Sequence, residues 1–191
     1  MAVILDRIFK QYGEQIVLDH FSYEFKDNKN YCVMAPSGQG KTTLLHILMG
    51  LVKADAGTVS GIDQYRIAPG FQENRLCENL SAGANIRMVT REKLQVQKLT
   101  GLMEELHLPG ILRKPVRTLS GGMKRRVTIA RALCSGGDLF LFDEPFKGLD
   151  VSTREAVMRV VKKAFEHKTA IWVSHDPDEA EFMESEIVTI G

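Results

Sequence analysis

The chain has 191 residues, of which 44% are apolar and 26% charged, a length that suits one globular domain or one core with a modest insertion. Its 25 basic and 24 acidic residues leave a net charge of +1, which argues against a dedicated nucleic-acid binder, because such proteins normally present a basic face. The apolar runs are too short to span a membrane, and the three scattered cysteines predict neither a disulfide framework nor a zinc site.

Strand-like segments recur along the chain, with helical periodicity between several of them. The first, AVILDRIF, alternates apolar and polar residues and carries Asp6, which predicts a strand and not a signal peptide. The others are HFSYEF, YCVMA, RIAPGF, DLFLFD, AIWVS and EIVTI. A helix is predicted from residue 43, and another from residue 151 has its apolar face at Val157, Val160, Val161 and Ala164. This alternation predicts an α/β core with a mainly parallel sheet.

The interval from about Glu73 to Arg117 lacks strand patterns and is predicted to be helical. Thr90 is a candidate N-cap, and Pro109 with Gly110 is expected to end the helix that follows. The apolar stripe of that helix is Leu99, Leu102, Met103 and Leu106. We therefore expect a small helical lobe inserted in the α/β core.

The segment APSGQGKTT, residues 35–43, resembles the phosphate-binding pattern G-x-x-x-x-G-K-[ST], with Ala35 in place of the first glycine. It lies between a strand and a helix, so successive backbone N–H groups and the helix start can point at one anion. Lys41 is expected to reach the β- and γ-phosphates, and Thr42 to hold Mg²⁺. A negative φ at Ala35 would make its methyl group harmless, whereas a positive φ would cost about 1 kcal/mol or more. The alternative is a glycine-rich turn with an exposed lysine.

The strand DLFLFDEP ends in two carboxylates and a proline. Acids at the carboxyl end of a strand suit metal-assisted phosphoryl transfer, with Asp143 orienting Mg²⁺ and Glu144 taking a proton from the attacking water. For an isolated pair of acids, a solvated strand end would be the better interpretation. The phosphate loop reverses that judgement.

The segment LSGGMKRRVTIARAL, residues 119–133, is a second glycine-rich entry into a helix. Ser120 and the amides of Gly121 and Gly122 would form another anion-binding helix start, and one nucleotide does not need two of these from one chain. The basic residues that follow are interpreted as mostly a solvated face: Lys124, Arg125, Arg126 and Arg131.

These motifs, in this order, resemble the ATP-binding subunits of ABC transporters, and LSGGM matches the signature motif of that family. Tyr12 falls where the family has an aromatic residue that stacks on adenine, and Gln72 matches the Q-loop glutamine. Asp150 ends a segment that matches the D-loop, and His175 matches the switch histidine. The resemblance covers the whole chain.

The resemblance implies a P-loop NTPase core with a mainly parallel sheet, an N-terminal antiparallel β portion and an inserted helical lobe. It implies a single domain over residues 1–191, with the α/β core at 1–72 and 119–191 and the helical subdomain at 73–118. Two subunits would sandwich two ATP molecules head to tail.

The resemblance also assigns roles to individual residues, with ATP and Mg²⁺ as ligands. The catalytic residues would be Glu144, His175 and Gln72, and the Mg²⁺ ligands Thr42, Gln72 and Asp143. Nucleotide would be bound by Tyr12, Ser37, Gly38, Gln39, Gly40, Lys41, Thr42 and Thr43, and across the dimer by Ser120, Gly121, Gly122 and Asp150. Asp176 and Asp178 are interpreted instead as a helix start, with Pro177 in its first turn.

Met123 stands where the commoner signature has glutamine, and DEPFKGLD and HDPDEA follow. This pattern resembles importers of the nitrate, sulfonate and taurine type, so the resemblance implies an ATPase that powers import of a small solute. It implies these partners: a second copy or a paralogous ATPase subunit, transmembrane permease subunits and a solute-binding protein, with no nucleic acid. The expected location is the cytoplasmic face of the cell membrane, and the chain is expected to lack the regulatory C-terminal domain of some importers.

Alternatives remain open at this stage. An exporter ATPase would use the same residues with a different membrane partner. A non-transport ABC ATPase would normally show paired cassettes, a coiled coil or a basic surface. A non-hydrolysing ATP-binding regulator is disfavoured by Lys41, Asp143, Glu144 and His175, and a P-loop kinase would not need LSGGM.

Overall fold

The computed structural model describes residues 1–36, 38–90 and 95–190. Three short 3₁₀ helices lie at Ile62–Gln64, Ile111–Arg113 and Val116–Thr118. The strands and α-helices are, in chain order, β1 Ala2–Tyr12, β2 Gln15–Lys26, β3 Asn30–Met34, α1 Lys41–Leu48, β4 Ala56–Ser60, β5 Ile67–Gly70, α2 Ala82–Arg87, α3 Val96–Glu105, α4 Gly121–Leu133, β6 Leu139–Asp143, α5 Val151–Phe165, β7 Thr169–Val173, α6 Pro177–Phe182 and β8 Glu186–Thr189.

The strands form two sheets. A five-stranded sheet has the order β5-β6-β7-β3-β8 with every pair parallel, and a three-stranded sheet of order β2-β1-β4 is antiparallel. The predicted α/β architecture is therefore confirmed, including the antiparallel N-terminal portion. Strand β4 was not predicted, because AGTVS is short, mostly exposed and lacks an apolar alternation. Its pairing with β1 makes it a strand.

The central strands of the parallel sheet are buried on both faces. All five residues of β6, LFLFD, are buried, and its leucines and phenylalanines point to opposite sides. Leu139 and Leu141 belong to the apolar cluster that includes α1 and the antiparallel sheet. Phe140 and Phe142 belong to the cluster that includes α4, α5 and the helices between β5 and β6. The leucines and phenylalanines of β6 thus pack into two different apolar clusters, one on each face of the sheet.

The helix predicted from residue 151 is confirmed as α5, with Val157 and Val161 fully buried. The start predicted for the helix with the apolar stripe is wrong. Helix α3 begins at Val96 with Gln95 as its N-cap, while the Thr90 hydroxyl donates a hydrogen bond to the Arg87 carbonyl, 2.9 Å away.

The predicted end of α3 is also wrong, because the helix ends at Glu105, before Pro109. His107 adopts a left-handed conformation with φ 54°, which reverses the chain there. The apolar stripe itself is confirmed: Leu99, Met103 and Leu106 are buried and Leu102 packs against them. The apolar periodicity predicted the buried face of the helix but not the positions of its two ends.

The topology brings the candidate site residues to one edge of the parallel sheet. Strands β6, β7 and β3 are neighbours, so the segments after their carboxyl ends meet at that edge. The phosphate loop follows β3, Asp143 ends β6 with Glu144 directly after it, and His175 follows β7. None of the helices in the described ranges is both long and apolar enough to cross a membrane.

Candidate functional site

The loop between β3 and α1 has a backbone that only glycine accommodates at its last position. Gly40 has φ 73°, and a Cβ atom there would lie 2.1 Å from the backbone carbonyl oxygen of Val17 on β2. Gly38 also has a positive φ, 84°, but a Cβ there would meet nothing within 4 Å. Gly40 therefore has a steric and a conformational reason to be glycine, and Gly38 has only the conformational one.

Ala35 does not sit in a conformation that requires glycine. The described part of the chain has eight non-glycine residues with positive φ, and Ala35 is not one of them. It precedes Pro36, and a residue before proline is held in the extended region, where φ is negative. Its side chain packs against the core cluster beside α1. The substitution in the phosphate-binding pattern is thus compatible with the loop.

Lys41 folds over the loop that precedes it. Its side chain is 8% exposed, and Nζ donates hydrogen bonds to the carbonyl oxygens of Ala35, 2.5 Å away, and Pro36, 2.9 Å away. The ammonium group therefore lies at the mouth of the loop, close to where the N–H groups that begin α1 are directed. An anion bound to those N–H groups would lie within reach of this charge.

Thr42 and Asp143 meet across the sheet edge. The Thr42 hydroxyl donates a hydrogen bond of 2.7 Å to Asp143 Oδ2, although 101 positions separate the two residues. Asp143 is 3% exposed, and burial raises its pKa above the ordinary value, against the lowering effect of the Thr42 hydrogen bond. Thr42, which follows Lys41, and Asp143, the first acid of DEP, therefore form one small polar cluster.

Glu144 adopts a strained backbone and has several polar neighbours. Its φ is 44°, and its N–H donates a 3.1 Å hydrogen bond to the Val173 carbonyl on β7, which holds the strand end in this unusual conformation. Gln72 Nε2 donates a 3.3 Å hydrogen bond to Glu144 Oε2, and His175 Nδ1 lies 3.5 Å from Oε1. The three predicted catalytic side chains are therefore together.

Lys147 is a member of this cluster that sequence reasoning missed. Its ammonium group lies 2.5 Å from Glu144 Oε2, and it lines the same cleft as the phosphate loop. Burial alone would raise the pKa of Glu144, but Lys147, followed by His175, outweighs it, and the pKa falls below its usual range. The available signal was the spacing, because a lysine three residues after an acid can reach back across one turn.

A cleft of about 390 Å³ connects these groups. Its lining includes Tyr12 at the end of β1, which is 49% exposed, together with most of the predicted site residues. Those residues are Gly38, Gly40, Lys41, Thr42, Thr43, Gln72, Asp143 and Glu144. Gln39 is exposed in the loop, is not among the lining residues, and donates its N–H to the Pro36 carbonyl. Ser37 lies outside the described residues.

The second glycine-rich helix start faces solvent. Ser120 is the N-cap of α4, and its Oγ accepts a 3.3 Å hydrogen bond from the Met123 N–H. Ser120 and Gly121 are exposed, and a Cβ at Gly121 would meet nothing within 4 Å. A Cβ at Gly122 would make ordinary contacts with Leu149 at 3.7 Å and the Gly148 carbonyl oxygen at 3.8 Å. Nothing in the described part of this chain requires glycine at these two positions.

Asp150 is exposed and is not among the residues that line the cleft. It is the N-cap of α5, where its Oδ1 accepts hydrogen bonds from the Thr153 N–H and the Ser152 hydroxyl. These bonds, with the Thr153 amide first, lower the pKa of Asp150 to about 2. The structure thus gathers most of the residues predicted for one nucleotide, while Ser120, Gly121 and Asp150 are exposed and Gly122 is half-buried. Asp176 caps α6, with Pro177 in its first turn, as predicted.

The interpretation of the basic residues on α4 as a solvated face is wrong. Arg125 is 6% exposed, and Arg126 donates to the carbonyl oxygens of Gly122, Leu106 and His107. Arg131 donates to the carbonyl oxygens of Asn74 and Arg75. Lys124 forms an ion pair with Glu78. Sequence reasoning could not detect most of the arginine bonds, because their acceptors are backbone carbonyls of distant segments.

The polar cluster fits a magnesium ion that is shared with phosphate. The described residues hold no group of three or more His, Cys, Asp or Glu side chains able to bind a metal by themselves. Mg²⁺ usually takes only one or two protein ligands and completes its octahedron with water and phosphate oxygens. The Thr42 hydroxyl and the Asp143 carboxylate, already in contact, are ligands of that kind.

Known proteins share this sequence pattern and fold. The family model described as "ABC transporter" matches residues 18–147. An aliphatic sulfonates import ATP-binding protein of Bacillus cereus is 34% identical over 100% of this chain and 82% of its own length. A sulfate/thiosulfate import ATP-binding protein of Ralstonia nicotianae is 31% identical over 94% of this chain. The chain spans 54% of that relative's length, so about half of it.

Solved structures give the same result. The dimeric bacterial ABC transporter cassette MJ0796 is 28% identical, with a TM-score of 0.85 over 98% of this chain and 94% of that one. The same cassette in a post-hydrolysis state bound to ADP and Pi is 29% identical, with a TM-score of 0.83. The ordered motifs, the parallel sheet and the matched 18–147 segment agree, and the chain belongs to the ABC transporter family.

Proposed function

We propose that this chain is an ATP-hydrolysing subunit that forms an ATP-driven dimer and powers an ABC importer of a small solute. The observation that carries the proposal is the convergence of a phosphate loop, a buried acid and a strained second acid in one cleft. The names of the similar proteins support the same function, because they describe import ATP-binding proteins for sulfate, thiosulfate and aliphatic sulfonates.

Nucleotide binding follows from the lining of the cleft. Tyr12 offers an exposed aromatic face for adenine, and the N–H groups around Gly38 and Gly40 with the Lys41 ammonium attract the phosphates. Ser37, Gln39 and Thr43 complete the proposed phosphate contacts. Lys41 now donates to two loop carbonyls, so its positive charge is already held where a phosphate would arrive.

Hydrolysis needs an acceptor for the proton of the attacking water, and Glu144 has that role. Its lowered pKa keeps the carboxylate ionised at neutral pH, while Gln72 and His175 lie on either side of it to orient the water. The water oxygen attacks the γ-phosphorus, the bond to the β,γ-bridging oxygen breaks, and Glu144 takes the proton. Thr42, Asp143 and Gln72 would hold Mg²⁺, which neutralises phosphate charge when bound.

The exposed start of α4 supports the dimer. In the proposed sandwich, Ser120 and the amides of Gly121 and Gly122 bind the γ-phosphate held by Lys41 of the partner subunit. No contact within the described residues requires glycine at positions 121 and 122, and the lack of side chains there leaves the helix start accessible to such a ligand. Asp150, at the adjacent start of α5, would couple the two sites. Loss of the shared γ-phosphate on hydrolysis would then let the dimer open.

Transport requires a membrane partner near Gln72 and the segment from residue 73 to 118, which we propose as the helical subdomain between the two parts of the α/β core. Apolar side chains of that segment are exposed, with Met88 at 64% and Val96 at 73%. We propose that permease subunits cover this face on the cytoplasmic side of the cell membrane and that a solute-binding protein delivers the solute.

Phosphate release by the purified chain tests the enzymatic part of this proposal. We expect ATP-dependent release that falls at least tenfold, roughly the loss of one charge-assisted phosphate contact, in Lys41→Ala. Binding of ATP without any phosphate release would favour a non-hydrolysing regulator. Co-purification with a permease, followed by vesicle uptake of a labelled solute, separates import from export.

A further inference from the structure

Arg125 makes an unusual set of contacts at the centre of the molecule. Its Nε donates to the Pro145 carbonyl at 3.0 Å, and its Nη1 donates to the carbonyls of Phe71 and Gln72 at 2.6 and 3.0 Å. Its Nη2 donates to the carbonyls of Asp143, at 2.9 Å, and Glu144. One guanidinium group therefore binds two separate segments, the exit of β5 and the end of β6.

This guanidinium is held by backbone alone. Within the described residues, the acceptors of its hydrogen bonds are all backbone carbonyls, although its side chain is almost fully buried. Burial lowers the pKa of Arg125, and the charges of Asp143 and Glu144 offset part of that effect. A buried cation is costly unless its donors are satisfied, so the arrangement is stable only while both segments keep their carbonyls directed at it.

The two segments that Arg125 joins carry two of the proposed catalytic side chains. Gln72 and Glu144 touch through their side chains at 3.3 Å, while Arg125 fixes the carbonyl of each. Arg125 also lies on α4, five residues after Ser120 and so about 7.5 Å along the helix. A shift of the exposed helix start would therefore move the group that holds both backbones.

We propose that Arg125 is a positioning residue, which sets the relative placement of Gln72 and Glu144 and links it to the start of α4. The proposal rests on the proposed ATPase function. Arg125 does not contact the cleft itself, so it should affect turnover far more than nucleotide affinity. Lysine cannot replace it, since one ammonium group cannot serve five carbonyls in two segments.

Arg131 provides a matched control on the same helix. Its guanidinium also donates to backbone carbonyls, those of Asn74 and Arg75, just beyond Gln72. No hydrogen bond links it to Gln72, Asp143 or Glu144 within the described residues. The same substitution at both positions thus separates a general loss of helix-to-loop bonds from a specific loss of catalytic placement.

The test measures kcat, the Kd for ATP and Tm for Arg125→Gln and Arg131→Gln. We expect Arg125→Gln to lower kcat at least tenfold, about one lost charged hydrogen bond, with the Kd within about threefold of the parent value. We expect Arg131→Gln to keep kcat within about twofold. Equal kcat losses in the two variants, or an unchanged kcat in folded Arg125→Gln, would overturn the proposal. If Arg125→Gln does not fold, Arg125→Lys decides by the same criteria.

A double variant gives a readout that a purely structural role would not move. If Arg125 acts through Gln72, then Gln72→Ala combined with Arg125→Gln should lose little more kcat than the worse single variant. If the double variant instead loses kcat by the product of the two single factors, the proposal is contradicted.

Hydrogen exchange keeps the two proposals distinguishable. Arg125→Gln should speed exchange at the Glu144 amide, which is bonded to Val173, while Arg131→Gln should not. If the variants differ in this way but the parent protein releases no phosphate, the ATPase function is refuted, and Arg125 still holds the backbone of the two segments. An unchanged exchange rate at the Glu144 amide in Arg125→Gln would refute the positioning role of Arg125.

Discussion

The glycine-rich start of α1 is enclosed by the chain's own residues, whereas the glycine-rich start of α4 is open to solvent. At the first, Gly40 is buried against β2, with backbone 2.1 Å from where a Cβ would lie. At the second, a Cβ at Gly121 would meet no atom of the described residues within 4 Å. The fold therefore requires glycine at position 40, whereas nothing in the described residues requires it at position 121.

The two helix starts also differ in the side chains behind them. The start of α1 is backed by Asp143 through the Thr42 hydroxyl, and Glu144, Gln72 and Lys147 line the same cleft. The start of α4 is capped by the Ser120 side chain and is followed by basic residues. The cleft at the start of α1 thus holds most of the proposed catalytic side chains, and the proposed head-to-tail sandwich would place the start of α4 against the partner's phosphate.

The largest expected effect is at the enclosed start. Gly40→Ala adds a methyl group into the Val17 carbonyl at φ 73°, and we expect a destabilisation of about 2–4 kcal/mol from strain and overpacking. Chemical denaturation measures this, and ATP binding should weaken at the same time. Unchanged stability of the Gly40→Ala variant would show that the loop is not enclosed as described.

At the open start, a substitution should leave folding intact and remove the dimer. Gly121→Asp puts an acid in the first turn of α4, where the helix dipole favours it by about 0.3–1 kcal/mol, so stability should hold or rise slightly. The same charge would repel a γ-phosphate offered by the second copy, and turnover should fall at least about tenfold.

Tm, nucleotide affinity and ATP-dependent dimerisation are measured together for Gly121→Asp. Monomer binding of ATP should stay within a few-fold of the parent, because Gly121 does not line the cleft. Normal dimerisation of this variant would remove the contrast between the two helix starts.

The smallest effect is expected at Ala35. Ala35→Gly removes a packed methyl group and adds freedom to the unfolded chain, so we expect a loss of about 0.4–1 kcal/mol in stability and an ATP Kd within about twofold. Isothermal titration and denaturation measure the two quantities. A large gain in ATP affinity would show that the alanine is a real defect in the loop.

Much of this contrast could be predicted from the sequence. The phosphate loop, the DEP strand end and LSGGM are local patterns whose chemistry depends on spacing, and the apolar run in DLFLFD predicted a strand, which is β6. These patterns were sufficient for the α/β fold and for the family.

The features that the sequence did not predict mostly depend on contacts between distant segments. Strand β4 exists because β1 pairs with it. Helix α3 starts at Val96, and the Thr90 hydroxyl donates to the Arg87 carbonyl instead of capping that helix. Arg125 looked like a surface residue because carbonyl acceptors leave no trace in a sequence. The Lys147 contact with Glu144 was local, but nothing in the recognised motifs drew attention to it.

The most direct test of the two-copy site is the oligomeric state of Glu144→Gln with saturating ATP and Mg²⁺, measured by light scattering or sedimentation. Removing the proton acceptor should preserve nucleotide binding and stop turnover, so the account predicts a stable dimer that disappears when Gly121→Asp is added. A protein that binds ATP yet stays monomeric, both alone and with its permease supplied, would contradict the account.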